Sequence, residues 1–293
     1  MGKYVREDLE DTYGILDFQE ELLKIMIYID NFCETNDVDY CLMAGSALGA
    51  ERHQGFIPWD DDIDIYMSAN DYKKFKEAFD KAGDKEKYYL QEYGRTKYKN
   101  LEMVTTAKIK LNGSMINEEA YKGWKIHQGL FVDIFIVHST PETKIGRICQ
   151  YLWSEAVVLK GLSVREYKSR NMKDAILLFI ANILPTKWIL RHGLYNAYKY
   201  DKFKTSKVMG FFDTRKYSRA IFPRDYIFPA KYFPFENVNL KVPAKNKEYL
   251  SIQFGDDYMT LPPEEKRPIN KHANGWKIDK NISYDYSDEY KLI

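Results

Sequence analysis

The sequence predicts a mixed α/β protein: a sheet of parallel and antiparallel strands flanked by helices, followed by a mostly helical and irregular C-terminal part. Three observations carry this expectation. Ile63, Ile65 and Met67 alternate with Asp62 and Asp64, the period of a strand with one buried face. Upstream, Ile15, Phe18, Leu22, Met26, Ile29 and Phe32 recur at helical spacing. Downstream, strand-like runs at 88–93, 102–111 and 129–137 follow a second helical stretch.

Taken in order, residues 8–35 read as an amphipathic helix, and 39–43 as a short strand leading into a Gly45-Ser46 turn. A helix through 47–52 follows, then the acid-bearing strand at 61–67. Residues 68–82 read as a helix with Ser68 as its N-cap, since a serine hydroxyl satisfies the free N–H groups of a first turn. Residues 141–200 have helical patterning, whereas 205–242 are rich in Pro, Phe and Tyr and read as short strands and irregular segments. A short helix at 244–254 ends at a Gly255 turn. With no repeat and no flexible linker, the expected division is a catalytic core at 1–140 and a part at 141–293 that completes the active site and shares that core.

The acid-bearing strand is the most informative segment. Successive side chains of a strand point to opposite faces, so Asp62 and Asp64 leave one face together while the isoleucines enter the core. Two adjacent carboxylates repel unless a cation lies between them, and oxygen ligands suit Mg²⁺ or Mn²⁺. The Gly45-Ser46 turn, at the start of a helix, supplies N–H groups able to hold phosphate. A solvated acidic loop does not account for Asp60-Asp61-Asp62, because such a loop has no need to bury every second residue after it. A calcium loop fails as well: Ile65 stands where the glycine is needed and Asp71 where the bidentate glutamate is needed. The residues point to a metal-dependent enzyme that handles phosphate.

The run GSALGAERHQGFIPWDDDIDIYM (45–67) resembles the signature of the LicD family of phosphocholine transferases, within the nucleotidyltransferase-fold superfamily. The tail FGDDYMTLPPEEKRPINKH (254–272) resembles the C-terminal motif of that family. The resemblance implies a nucleotidyltransferase-like sheet and a third carboxylate on a later strand, which it assigns to Asp133 in the apolar run GLFVDIFIV. A lone acid there is costly to bury unless it is paired or ligates a metal. The implied reaction moves phosphocholine, or a related phospho-alcohol, from CDP-choline or another CDP-activated alcohol to a glycan hydroxyl, releasing CMP. Two Mg²⁺ (or Mn²⁺) ions would be held by Asp62, Asp64 and Asp133, and the nucleotide phosphates by Gly45 and Ser46.

Arg52 and His53, between the turn and the acids, are expected to face the diphosphate, as are Lys108 on its strand and Arg267 and His272 in the tail. Each has an ordinary alternative, such as a surface ion pair or a structural histidine. A choline head group needs aromatic faces, and Trp59, Tyr66, Trp124 and Trp276 are the candidates, Trp59 first because it adjoins the acids. The same acids would serve nucleotidyl transfer with release of pyrophosphate, or an Asp-x-Asp glycosyltransferase. The Gly45-Ser46 turn favours the nucleotidyltransferase arrangement, and only the long family-like string favours phosphocholine. A non-catalytic choline- or glycan-binding module would need repeated aromatic cages. The acceptor stays open between teichoic acid, capsular repeat and lipopolysaccharide.

Lys and Arg number 44 against 43 Asp and Glu, a net charge of +1, which argues against a dedicated nucleic-acid binder. Cys33, Cys41 and Cys149 have neither metal-ligand nor disulfide spacing, and the N-terminal residues contain no apolar signal core, so the expected location is the cytoplasm. Residues 175–184 (AILLFIANIL) are apolar but short of the ~20 that span a bilayer. A buried helix is expected there. The alternative is an interfacial helix beside Lys187, Arg191, His192 and Lys199, giving peripheral contact with the inner face of a membrane.

Overall fold

The computed structural model describes residues 11–92, 107–116, 125–164, 169, 171–210, 216–267, 273 and 275–284. Helix α1 (Leu16–Thr35) buries Phe18, Leu22, Ile25, Met26, Ile29 and Cys33 along one face. Strand β1 (Cys41–Leu42), helix α2 (Ala44–His53), strand β2 (Asp64–Ser68) and helix α3 (Ala69–Ala82) follow. Ser68 caps α3 as expected, its Oγ accepting the Asp71 N–H at 3.1 Å. Strands β3 (Tyr88–Gln91), β4 (Ala107–Leu111), β5 (Ser114–Met115) and β6 (Phe131–Ser139) come next.

Helices α4 (Lys144–Val164), α5 (Met172–Ile183) and α6 (Thr186–Tyr198) form the helical stretch that was expected. Beyond it are β7 (Lys207–Gly210), α7 (Tyr217–Ala220), β8 (Ile221–Pro223), α8 (Arg224–Ile227), β9 (Lys231–Phe235), β10 (Val238–Val242), α9 (Asn246–Phe254) and β11 (Lys277–Ile278). The chain is the expected mixed α/β structure.

The main sheet runs β1-β2-β6-β4-β3, with β7 paired to the far half of β6 and β8 paired to β7. Only the β2–β6 pairing is parallel; the others in this sheet are antiparallel. In that pair Asp64 stands opposite Asp133, and each following residue stays in step. Ile63, Ile65, Met67, Val132, Ile134 and Ile136 are buried on the core side. A single core cluster extends from Phe18 on α1 to Leu250 on α9, so strands and helices from both halves of the chain pack on the same apolar centre.

Two expectations are corrected. The Gly45-Ser46 step is not a turn ahead of a helix. Both residues lie in the first turn of α2, and the unusual backbone belongs to Ala44, at φ 41°. The Ala44 N–H donates to the Tyr249 hydroxyl at 2.9 Å, which ties the start of α2 to α9.

The second correction concerns 175–184, expected as a buried helix. Its segment of α5 packs on α4, but Ile176, Phe179, Ile180 and Ile183 face outward, with Phe179 66% and Ile183 64% exposed. The Lys160 ammonium on α4, itself buried, donates to the carbonyls of Ala181, Asn182 and Leu184 at 3.0, 3.1 and 2.9 Å. A lysine thus closes the α5 C-terminus, where exposed carbonyls and the helix dipole favour a cation. Among the described residues no helix is long and apolar enough to cross a membrane.

Replacing Lys160 with Met keeps the volume and orphans three carbonyls. The variant is expected to lose about 2 kcal/mol of stability in urea unfolding, the scale of hydrogen bonds to a charged donor.

Candidate active site

The parallel register places the acids. Because β2 and β6 run side by side and in phase, Asp64 and Asp133 project from the same face at neighbouring positions. Across the next pairing, Lys108 on β4 stands opposite Asp133. The face therefore presents Asp64, Asp133 and Lys108 in a row across three strands. The Lys108 Nζ lies 2.9 Å from Asp133 Oδ1 and 3.2 Å from its Oδ2, and sits 3.3 Å above the Phe131 ring. Asp62 precedes β2 by one alternation and stays on the same side, half-buried like Asp64 and Asp133.

Charge is unbalanced here. Burial, reinforced by the nearby carboxylates of Asp62, Asp133 and Asp60, holds the Asp64 carboxyl well above the usual carboxylate range, and Lys108 only partly opposes them. Among the described residues no group of His, Cys, Asp and Glu side chains is gathered closely enough to form a ready metal cage. The chemistry of the donors nevertheless suits a hard divalent cation: carboxylates on one face around an acid disfavoured in its ionised form, with one lysine as counter-charge.

The start of α2 borders this face. Ser46 Oγ accepts the Asp64 N–H at 2.9 Å, leaving its own O–H free to be directed elsewhere. The first N–H groups of a helix have no intrahelical acceptor, and those of Gly45 and Ser46 are among them. Gly45 is needed for space rather than for backbone freedom: a Cβ there would come within 2.7 Å of Asp60 Oδ2.

The loop carrying the acids is clamped on several sides. Buried Gln19 on α1 donates to the Asp60 carbonyl at 2.6 Å and the Ile57 carbonyl at 3.2 Å. Glu236, between β9 and β10, accepts the Phe56 N–H at 2.9 Å. Asp61 accepts the Ala273 N–H at 3.0 Å and so ties the loop to the C-terminal tail.

A basic and aromatic cluster lies beside the acids. Arg52 donates to His53 Nε2 at 2.9 Å and to the carbonyls of Tyr258 and Thr260 at 3.1 and 3.4 Å. Arg267 donates to the Tyr13 hydroxyl at 2.5 Å and to the Pro262 carbonyl at 3.3 Å, and its guanidinium lies 4.4 Å from the centre of the Trp59 ring. Trp59 also meets the rings of Tyr13 and His53 at 5.8 and 6.1 Å. Burial lowers the proton affinity of Arg52, Asp60 raises it and Arg267 lowers it again, so these three groups sense one another. Asp60 thereby links the basic cluster to Asp64.

Of the residues named from sequence, Gly45, Ser46, Asp62, Asp64, Lys108 and Asp133 come together around the strand starts. Arg52, His53, Trp59 and Arg267 form the adjoining cluster, in which one face of Trp59 is taken by Arg267. Of the other aromatic candidates, Tyr66 is fully buried against Tyr249, and Trp276 packs edge-on against Phe18. His272 and Trp124 lie outside the described residues. Sequence reasoning missed Asp60 as the link, although its place in the acidic run marked it. It also missed Tyr13 and Tyr249, whose partners lie far away along the chain.

Acids on neighbouring strands beside a Gly-Ser helix start, in a mixed sheet, form an arrangement suited to phosphate chemistry, and the comparisons with known proteins give its class. The family described as "LicD/FKTN/FKRP, nucleotidyltransferase domain" matches residues 37–158, the segment that carries this geometry. Over 260 residues the chain is 30% identical to the lipopolysaccharide cholinephosphotransferase LicD of Haemophilus influenzae, covering 83% of this chain and 90% of that one. A shorter stretch of 42 residues is 45% identical to an uncharacterized protein of Rickettsia typhi, 14% of each chain. The chain belongs to the LicD family.

Gly45→Ala is expected to fold with unchanged or slightly higher stability, since alanine is the better helix former by about 1 kcal/mol. Its Cβ displaces the Asp60 carboxylate, and steady-state turnover is expected to fall at least tenfold. A variant equally active and equally stable would remove Asp60 from the site.

Proposed function

We propose that this enzyme transfers phosphocholine, or a closely related phospho-alcohol, from a CDP-activated donor to a hydroxyl of a cell-surface glycan, with CMP as the leaving group. The observation that carries the reading is the in-register pairing of Asp64 with Asp133 beside Ser46, in a chain that matches a lipopolysaccharide cholinephosphotransferase along most of its length. In the transfer, the acceptor oxygen forms a bond to the phosphorus bearing the alcohol. The bridging P–O bond to CMP breaks, and the acceptor proton leaves through a carboxylate oxygen of the site.

The residues divide that work. Ser46 O–H and the N–H groups at the start of α2 would hold phosphate oxygens, as helix N-termini do. Arg52 and Arg267 would place positive charge beside the diphosphate, with Trp59 and Tyr13 fixing the Arg267 guanidinium. Lys108 holds Asp133 in place from the neighbouring strand. Mg²⁺ or Mn²⁺, held by Asp62, Asp64 and Asp133, would supply neutralisation of the charge that develops between attacking and leaving oxygens. His272 and His53 complete the residues expected to face the donor.

Two measurements test this. Calorimetric titration with CDP-choline, CDP-glycerol and UDP-glucose, with and without Mg²⁺, is expected to give magnesium-dependent binding of CDP-choline. Preference for UDP-glucose would transfer the reading to glycosyl transfer. Asp64→Asn and Asp133→Asn are each expected to lower turnover at least about 100-fold, the scale of losing a principal electrostatic contact in a transition state. Without divalent metal, Asp64→Asn should be at least as stable as the parent at pH 7. The ionised Asp64 is disfavoured by folding, so a neutral isostere relieves repulsion instead of removing a favourable contact. A destabilised Asp64→Asn would overturn this electrostatic account of the site.

A further inference from the structure

Helix α5 presents Met172, Ile176, Phe179, Ile180 and Ile183 to solvent, at the spacing of one helix face. The face is held outward rather than left loose. Asn171 caps the N-terminus by accepting the Asp174 N–H at 2.9 Å, and Lys160 closes the C-terminus through three carbonyls. A contiguous apolar surface of this kind marks a docking site.

Its surroundings say what docks there. Lys173 at the start of the helix, and Lys187 and Arg191 on the first turns of α6, are exposed, while Asp174 is the single acid of the two helices. Trp188, next to Lys187, is 48% exposed and meets the His192 ring in a tilted contact at 4.9 Å between ring centres. An apolar helix face with exposed cations at its start and, with a half-exposed tryptophan, on the helix that follows it matches the bilayer interface, where acyl chains take the apolar face, anionic head groups the cations and the head-group zone the indole. A second copy of the chain fits less well, because a two-fold interface would set the same cations against one another.

We propose that α5, with the start of α6, is a monotopic docking surface for an anionic lipid bilayer. The helix lies in the plane of the interface and does not cross it. The phosphotransfer reading is not needed for this, since docking requires neither donor nor acceptor.

The test is flotation of the full chain with vesicles of phosphatidylcholine plus phosphatidylglycerol, and with phosphatidylcholine alone. The parent protein is expected to float with the anionic vesicles, and added salt to weaken binding. The double variant Ile176→Glu/Phe179→Glu, whose changes lie on exposed positions, is expected to keep its thermal midpoint and bind at least about tenfold more weakly. Lys173→Glu/Lys187→Glu is expected to lose anionic selectivity while keeping the apolar face. Parent protein that stays unbound with both vesicle types would overturn the proposal. So would a dimer, seen by light scattering, that the Ile176→Glu/Phe179→Glu variant splits while vesicle binding is absent.

Discussion

Repulsion between carboxylates at the starts of β2 and β6 is the constraint around which the rest of this structure is arranged. A parallel register that sets Asp64 opposite Asp133 brings two acids to adjacent positions on one face, and Asp62 and Asp60 add to them. Left alone, such a group would splay or neutralise. It is held because the backbone around it is over-determined. The β2–β6 hydrogen bonds fix the strands, Ser46 holds the Asp64 N–H, Gln19 holds the Asp60 and Ile57 carbonyls, and Lys108 supplies a counter-charge from β4. The ionised form of Asp64 is disfavoured in consequence, a cost that a bound cation would relieve.

The two ends of the described chain meet at the same place. Tyr13, ahead of α1, accepts from Arg267 near the C-terminus, and Trp59 lies beneath that guanidinium. Arg52 reaches the carbonyls of Tyr258 and Thr260, and Asp61 receives the Ala273 N–H. The tail is therefore a wall of the candidate site rather than an appendage, and it brings the Arg267 guanidinium onto Trp59 beside the acidic loop. Burying arginines beside aromatic rings limits their conformational freedom, so their charge is positioned before any ligand arrives.

The helical part has a different character. α4 and α6 bury Val157, Ile189 and Leu190 between them, a small core separate from the main one. α5 lies against α4 with an apolar face turned away from both cores. A phosphotransferase whose acceptor is an amphiphile would gain from a surface that keeps it at the bilayer; on the docking proposal, the chemistry lies in the sheet and the localisation in the helices.

Much of the site was legible in the chain. Alternation of acids with Ile63, Ile65 and Met67 is a local signal, because a strand has a period of two whatever surrounds it. The Ser68 cap was read from local spacing as well, whereas the string from Gly45 to Met67 and the choice of Asp133 came from the resemblance to a known family. Local spacing does not report which distant segments become neighbours. That Asp133 falls opposite Asp64, that Lys108 pairs with Asp133, and that Tyr13 meets Arg267 follow from strand register and packing between residues far apart in sequence. Direction of burial was hidden for the same reason. Apolar residues in 175–184 announce a helix with apolar sides, but whether those sides meet a core or face outward depends on where Lys160 and α4 hold the helix, which is a property of the assembled fold.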